Sequence, residues 1–345
     1  MKSTNKSSAT LVHGHDADSV CSAAIISKLL QKLKVSVSNV VTESNYSFGR
    51  NDLEKVKRVN HKFVIILDIP MVGVGLLTEL TKLYRVMIID HHKPKGYVRV
   101  CYINPRVYDD NIYAPTTYIA YKIYESFLSP KDILWIACIG VLGDHGVESC
   151  KDVFIKLKKA NPELFDNSEI TSEGLFRSSR LGKLTRMIDA GRVVNVKNVD
   201  KVFKTIAAAK SYKDIEKNGW IRKLFKSVEG EFKKSLKDFE KDKRVFKYVV
   251  FYELKSKYNL KSSFAGYVQT LFEDKVVCIA QKFGDYYEAS LRRGNKLDVD
   301  LSKLAESLIE GLKDASGGGH PSASAVRFPS SEIKNFISKL EKIKF

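Results

Sequence analysis

The segment ATLVHGHDADSVCSAAIISKLLQKL, residues 9–33, joins two apolar runs through a loop rich in histidine and aspartate. The first run has the length and composition of a strand, and apolar residues recur from Ser19 to Leu33 at helical spacing. A strand, a short polar loop and a helix in this order predict one unit of a parallel sheet. Four candidate ligands lie within six residues of the loop: His13, His15, Asp16 and Asp18.

The alternation of strand and helix patterns continues to about residue 105. Four more apolar runs follow, VSVSNVVTE, KFVIILDIP, YRVMIID and VRVCYIN, and amphipathic segments near 51–59 and 74–83 separate three of them. Two helical patterns come next, at 115–128 and 129–144. Apolar strands that alternate with helices indicate a doubly wound α/β domain with a parallel sheet covered on both faces.

The second half of the chain changes character twice. Residues 151 to 243 are rich in lysine and helical in pattern, and strand patterns return at RVFKYVVFYEL, KVVCIAQKF and YYEASLRR, the last two joined by a hairpin turn at Phe283–Tyr286. We therefore predict three parts: a doubly wound domain at 1–160, a basic helical connector at 161–243, and a smaller α/β domain at 244–345.

Charge points to the class of partner. The 345 residues carry a formal net charge of +18, and the stretch from Lys197 to Lys261 holds 19 basic residues against 9 acidic ones. Such an excess suggests a polyanion such as nucleic acid. A lysine-rich solvated surface, as in many heat-adapted proteins, is the alternative that charge alone leaves open.

Membrane and disulfide patterns are missing from the sequence. No run of eighteen uncharged apolar residues occurs, and the N-terminus has no apolar core like that of a signal peptide, so we expect a cytoplasmic protein without membrane segments. The five cysteines lack CxxC spacing and lie mostly in apolar runs, as Cys101 does, which indicates buried thiols rather than a disulfide framework or zinc site.

Acids and histidines follow the predicted strands where each one ends. Ligands of a doubly wound sheet bind at the carboxyl ends of its strands, so these side chains should meet at one edge. One such aspartate is most often a helix cap, but a whole set favours a metal centre. Mixed aspartate and histidine ligation suits Mn²⁺ or Mg²⁺, and two such ions suit phosphoester hydrolysis. Beyond the first loop, the candidates after strands are Asp68, Asp90, His91 and His92, and near the end of the helix at 129–144 come Asp144 and His145.

These motifs resemble the DHH phosphoesterase superfamily, which includes RecJ-type exonucleases, oligoribonuclease/pAp phosphatases and cyclic-dinucleotide phosphodiesterases. The naming triplet is Asp90-His91-His92 in IIDHHKP, and HGHDADS, ILDIP and VLGDHG match the other motifs of the first domain. SGGGHPSASA resembles the glycine-rich signature of the DHH-associated substrate-binding domain, with ASLRR as its arginine-bearing strand. The resemblance implies a two-domain hydrolase with two Mn²⁺ or Mg²⁺ ions.

The resemblance also implies a role for each residue. One ion would be held by a histidine of the first motif, Asp16 and Asp68, and the second by Asp18, Asp68, His91 and Asp144. His92 would contact the scissile phosphate and Asp90 would orient His91 as part of the catalytic group. The residues expected to bind the substrate are Arg292, Arg293, Gly317, Gly318, Gly319 and His320.

The sequence departs from the family pattern in its first and last motifs. His13 stands three positions before Asp16 and His15 stands next to it, so either could be the ligand; we favour His13 and assign His15 to the substrate. Ser19 stands where many of the family's nucleases have glycine. The glycine-rich signature continues HPSASA where two alanines and a glycine are usual.

The predicted function is that of an exonuclease that hydrolyses single-stranded DNA or RNA from an end. The basic connector favours a polymer over a mononucleotide, because several phosphates would meet it. A nanoRNase, pAp phosphatase or dinucleotide phosphodiesterase is the alternative. A non-catalytic scaffold in a replication or repair assembly is the third reading, and the complete ligand set argues against it.

Overall fold

The computed structural model describes residues 7–94 and 100–345, and of His320 only the backbone. The chain divides into two compact units, residues 1–225 and 226–345. The helices that follow residue 161 therefore belong partly to each unit. The three-part division at residues 160 and 243 stays a prediction about domain organisation.

The first unit contains a five-stranded sheet in the order β2-β1-β4-β6-β7, and every neighbouring pair in it is parallel. A further pair, β3 and β5, forms a small sheet of its own. The strands are β1 (Ser8–His13), β2 (Ser36–Val41), β3 (Ser47–Phe48), β4 (Phe63–Leu67), β5 (Met71–Val72), β6 (Arg85–Ile89) and β7 (Cys101–Ile103).

Helices cover both faces of this sheet, as the doubly wound prediction requires. On one face Val64 and Ile66 of β4 pack with the helices α2 and α3, and on the other Leu67 packs with α1, α4 and α5. The helices are α1 (Ala17–Lys32), α2 (Arg50–Val59), α3 (Val74–Leu83), α4 (Thr116–Phe127), α5 (Leu134–Gly143), α6 (Lys151–Ala160), α7 (Ser172–Ser178), α8 (Arg180–Val194), α9 (Val199–Ala208), α10 (Tyr212–Lys217) and α11 (Gly219–Asp242), the last of which includes the boundary between the units.

The strand order reverses beside β1, which pairs with β2 on one side and with β4 on the other. His13 at the end of β1 is the register partner of Leu67, so Asp68 follows directly at the same edge. Such a reversal opens a crevice at the carboxyl ends of the strands. The fold therefore brings the ends of β1, β4 and β6 to one place.

The second unit is a six-stranded mixed sheet in the order β12-β13-β11-β10-β9-β8. Only β9 and β10 are parallel. Its elements are β8 (Arg244–Val245), β9 (Val249–Leu254), α12 (Lys261–Gln269), β10 (Val276–Phe283), β11 (Tyr286–Arg293), α13 (Leu301–Ile309), β12 (Ser316–His320), β13 (Ala323–Pro329) and α14 (Ile333–Glu341).

The local sequence explains one turn and one edge strand of this unit. β10 and β11 are joined by the predicted two-residue hairpin, in which Gly284 has φ of +58°. The glycine-rich signature forms β12, an edge strand paired with β13. A Cβ atom at Gly319, which has φ of +148°, would lie 2.6 Å from the carbonyl oxygen of Ala323, so only glycine fits there.

The cysteine interpretation is correct for four thiols and wrong for one. Cys101 is exposed, whereas the other four are buried. It belongs to β7, the edge strand of the parallel sheet, which is covered less completely than the central strands. Among residues 7–94 and 100–345, no helix is long and apolar enough to cross a bilayer.

Candidate metal centre

Three predicted carboxylate ligands converge on His91, which lies just after β6. Its Nε2 atom lies 3.4 Å from Asp144 Oδ2, 3.5 Å from Asp68 Oδ1 and 4.0 Å from Asp18 Oδ2. Asp18, His91 and Asp144 form one group whose ligand atoms lie within 4.8 Å of one another, and Asp68, His91 and His92 form another. Carboxylate and imidazole atoms at these separations suit a shared divalent cation.

Asp18 is fixed by the beginning of α4. Its Oδ2 accepts a hydrogen bond from the backbone N–H of Thr116 and its Oδ1 accepts one from Thr117, each 2.8 Å long. These N–H groups are unpaired within the helix, and the positive end of the helix dipole favours an anion there. Burial nevertheless dominates and, with the charges of Asp68 and Asp144, raises the pKa of Asp18. A cation would offset the cost of charging it.

Asp68 receives a side-chain hydrogen bond on each carboxylate oxygen. The Ser19 hydroxyl donates to Oδ2 at 2.5 Å and the Thr116 hydroxyl donates to Oδ1 at 3.0 Å. The residue has φ of +58°, in the left-handed region that aspartate tolerates better than most residues. Burial and the charge of Asp16 raise the pKa of Asp68 to about 7.

Asp144 ends α5, and glycines bring that helix close to α1. A Cβ atom at Gly143 would lie 2.6 Å from the Ala17 Cβ, and one at Gly140 would lie 2.8 Å from the Cys21 Cβ. The Tyr113 hydroxyl lies 2.6 Å from Asp144 Oδ2, to which it donates. Burial raises the pKa of Asp144 to about 7, against the effect of this hydrogen bond.

The two histidines of the first motif differ in what their rings contact. His13 is fully buried and its Nδ1–H donates to the Gly14 carbonyl oxygen at 2.8 Å, while no described residue hydrogen-bonds to its Nε2. Burial lowers the pKa of His13 to about 4, which keeps that nitrogen a free acceptor. The Nε2–H of His15 donates to the Thr42 carbonyl at 2.6 Å. Of these two Nε2 atoms, that of His13 has no hydrogen-bond partner among the described residues, whereas that of His15 has one.

Asp16 both caps α1 and stays charged. Its Oδ1 accepts from the backbone N–H of Ser19 at 3.0 Å, and its Oδ2 accepts from the Asn45 side chain at 2.7 Å. Burial opposes its charge, but Arg192 and these hydrogen bonds lower the pKa of Asp16 overall. Within the described residues, neither Asp16 nor His13 falls in the two ligand groups around His91.

Asp90 was predicted to orient His91, but it contacts His92, the last residue of the triplet, and His91 Nδ1 has no hydrogen-bond partner among the described residues. The Nδ1–H of His92 donates to Asp90 Oδ1 at 2.8 Å, and the same nitrogen lies 3.9 Å from Asp68 Oδ1. Burial disfavours the charged ring, but this hydrogen bond and the charges of Asp68, Asp90 and Asp144 raise the pKa of His92 to about 9. The side chain of His92 is about one third exposed (35%).

The predicted substrate residues of the second unit lie on two faces of its sheet. Arg292 pairs in register with Ala323, which pairs with His320, so these positions share a face with Gly318. Arg293 lies on the other face, where its Nη1 donates to the Val299 carbonyl at 3.3 Å and lies 3.6 Å from Asp298. The side chain of His320 is outside the described part of the chain.

Gly317 lies close to α13. A Cβ atom added at Gly317 would lie 3.3 Å from the carbonyl oxygen of Ala305 in that helix.

Four residues of the centre were not predicted from sequence: Asn45, Tyr113, Thr116 and Thr117. Each contacts a carboxylate from a distant part of the chain, 29 to 99 residues away. The only local signal is Pro115 followed by two threonines at a helix start, which predicts free N–H groups and hydroxyls there.

Comparison with known families covers both units. The profile described as "DHH family, N-terminal domain" matches residues 9–141, and that of the DHHA1 domain matches residues 246–344. No curated protein matches the sequence significantly.

Solved structures share the fold at low identity. The DHH domain of a protein described as a member of the s1p family of ribosomal proteins has a TM-score of 0.70 and 16% identity, over 99% of this chain and 88% of that one. RecJ of Thermus thermophilus in complex with Mn²⁺ has a TM-score of 0.68 and 14% identity, over 97% and 52%. CDC45 of Entamoeba histolytica has a TM-score of 0.58 and 12% identity, over 98% and 95%.

The present chain thus spans about half the length of the Thermus RecJ chain. At these identities the structures establish the fold they share. The two profile matches cover the strand-end motifs of the first unit and the glycine-rich strand of the second. The chain therefore belongs to the DHH superfamily of phosphoesterases, with a DHH N-terminal domain followed by a DHHA1 domain.

Proposed function

We propose that this protein is a metal-dependent exonuclease that hydrolyses single-stranded DNA or RNA from an end. The convergence of Asp18, Asp68 and Asp144 on His91 is the observation that carries the proposal. Burial raises the pKa of each carboxyl group, so the metal-free cluster holds negative charge at a cost. Divalent cations are the natural compensation for that charge.

The mixed carboxylate and imidazole donors support Mn²⁺ or Mg²⁺, and we propose that two ions bind. Asp18, Asp68, His91 and Asp144 would hold one, while Asp68, Asp16 and the free Nε2 of His13 would hold the other. Two such cations supply an activated water near neutral pH and stabilise the oxygens of an in-line phosphoryl displacement.

The residues around the cluster orient the ligands and the substrate. Ser19, Thr116 and Thr117 hold the carboxylates through hydrogen bonds that do not depend on the ions. His92, whose ring is held by Asp90, would contact a phosphate oxygen that enters beside Asp68.

In the second domain we propose that Arg292, together with the backbone of Gly317, Gly318, Gly319 and His320, binds a substrate phosphate. His15 and Arg293 were predicted to share this role. However, the Nε2–H of His15 donates to the Thr42 carbonyl oxygen, and Nη1 of Arg293 donates to the Val299 carbonyl oxygen and lies 3.6 Å from Asp298. We therefore propose that both residues stabilise neighbouring segments instead.

The test is digestion of end-labelled single-stranded DNA, RNA, dinucleotides and pAp with Mn²⁺ or Mg²⁺. We expect ladders from long strands and loss of hydrolysis in Asp68→Asn, whose amide cannot supply the negative charge. Circular dichroism of the variant checks that it folds, and Asp109→Asn, in an exposed turn outside the cluster, is the matched control.

Three results would contradict the exonuclease. Cleavage restricted to dinucleotides or pAp would favour the nanoRNase or phosphatase alternative. Full activity in Asp68→Asn would refute the metal centre. Binding of single strands without hydrolysis, whichever metal ion is added, would favour a non-catalytic scaffold in a replication or repair assembly. If the protein has a protein partner, we propose that it belongs to such an assembly.

A further inference from the structure

Strands β12, β13 and β11 lie at one edge of the C-terminal sheet, and one face of these three strands is partly exposed. Along β13, Ser324, Val326 and Phe328 are buried, whereas Ala325 and Arg327 are exposed on the opposite side. The register places Arg327 beside Glu288 of β11 and Ser316 of β12. We call this side the polar sheet face, made of Tyr286, Glu288, Ser290, Arg292, Ser316, Gly318, Ala323, Ala325 and Arg327.

Arg327 is supported by an aromatic ring rather than by a carboxylate. Its guanidinium carbon lies 4.4 Å from the centre of the Tyr286 ring. Glu288, its neighbour across the strands, pairs instead with the buried Lys261, at 2.7 Å. Among the described residues, no ion pair within 4.0 Å involves Arg327. A stacked guanidinium keeps its N–H edge available for a planar anion such as phosphate.

Arg327 is too far from the first proposed phosphate site to share one phosphate with it. Arg292 pairs with Ala323, and Arg327 stands four positions further along β13. At about 3.4 Å per residue this is roughly 14 Å along the strand. An anion at Arg327 would therefore be a different phosphate from the one held near Arg292.

We propose that Arg327, stacked on Tyr286, binds a second backbone phosphate of a single strand that runs along the polar sheet face. The proposal rests on the proposed function and adds a contact for long substrates. The small side chains of Ala323 and Ala325 leave the surface between the two arginines low, so a strand can lie across it. Two arginines and Lys261 against one glutamate give this face the charge that a polyanion requires.

The test compares short and long substrates. We expect Arg327→Gln to raise KM for dT12 or rU12 about tenfold, with kcat and the KM for the dinucleotides dT2 and rU2 unchanged. In EDTA, where no cleavage occurs, fluorescence anisotropy with labelled dT12 should show the slope of log K against log salt reduced by about 0.7, the value for one phosphate of a single strand.

Two further variants separate the contact from general charge and from folding. Lys334→Gln removes a positive charge from α14, whose Phe336 packs under the other face of the sheet, and should leave dT12 binding as in the wild type. Arg327→Lys keeps the charge but loses the planar stack, so the salt slope should be retained with an intermediate KM.

The outcomes distinguish this inference from the proposed function. If the wild type neither binds nor degrades dT12 or rU12, both fail. If the wild type degrades them and Arg327→Gln behaves like wild type, or weakens dT2 and dT12 equally, the second phosphate contact alone is refuted. A loss confined to long DNA or to long RNA supports the contact and identifies the polymer.

Discussion

At the scale of single residues, the centre depends on neutral donors as much as on its ligands. Ser19 illustrates this, because it stands where many nucleases of the superfamily have glycine and its hydroxyl binds Asp68 Oδ2 at 2.5 Å. The site is crowded there: a Cβ atom on Gly14 would lie 2.7 Å from this hydroxyl oxygen. Ser19 thus fixes one carboxylate oxygen and leaves the other facing His91.

We predict that Ser19→Ala lowers the affinity for Mn²⁺ about 10- to 100-fold, as is usual when a hydrogen bond to a metal ligand is removed. Titration calorimetry measures this without reference to activity. Ser22→Ala is the matched control, because Ser22 is also buried in α1 but donates to the Ser19 carbonyl and touches no carboxylate among the described residues. Equal Mn²⁺ affinity in the two variants would contradict the role of Ser19.

At the scale of elements, α1 and α5 approach closely enough to place Asp18 and Asp144 around one imidazole. Gly140 and Gly143 permit this contact against Cys21 and Ala17. The spacing of the two glycines puts both on the face of α5 that meets α1.

We predict that Gly143→Val destabilises the protein by about 1 to 3 kcal/mol, the usual cost of overpacking, and also weakens Mn²⁺ binding by moving Asp144. Chemical denaturation and calorimetry measure the two effects. Gly230→Ala in α11, where an added Cβ meets nothing within 4 Å, should be neutral or stabilising. A stable Gly143→Val protein with normal Mn²⁺ affinity would refute the packing argument.

Only part of the metal centre could be predicted from the sequence, because some of its residues are placed by the packing of distant elements. The positions of His13, Asp68 and His91 could be predicted because each lies at the end of an apolar strand or within two residues of it, and the carboxyl ends of parallel strands meet. Thr116, Thr117 and Tyr113 were not, because their contacts to Asp18 and Asp144 depend on how α4 and the loop before it pack. The strand alternation in β11 would have separated Arg292 from Arg293, since neighbouring residues of a strand face opposite sides.

At the scale of the whole molecule, the metal-free centre makes stability depend on pH. The folded protein holds protons on Asp68 and Asp144 up to a pH of about 7, whereas the unfolded chain releases them near the ordinary pKa of 3.8. The folded state binds more protons in this window, so the free energy of unfolding falls as pH rises from about 4 to 7. Bound cations remove this penalty by compensating the ionised carboxylates.

We therefore predict that chelation lowers the melting temperature more at pH 8 than at pH 5.5. Differential scanning fluorimetry with and without EDTA measures the difference. In the double variant Asp68→Asn Asp144→Asn the two pH values should give similar shifts. A chelator effect that is equal or larger at pH 5.5 in the wild type would contradict the prediction.

The two hydrogen bonds that fix Asp18 have a consequence for how the protein is made. Their donors, Thr116 and Thr117, are 98 and 99 residues further along the chain, and Asp144 comes later still. While the nascent chain is on the ribosome, the early motif emerges long before the helices that complete it. The centre can be assembled only after residue 144 has left the exit tunnel, so the early motif cannot form the metal site by itself.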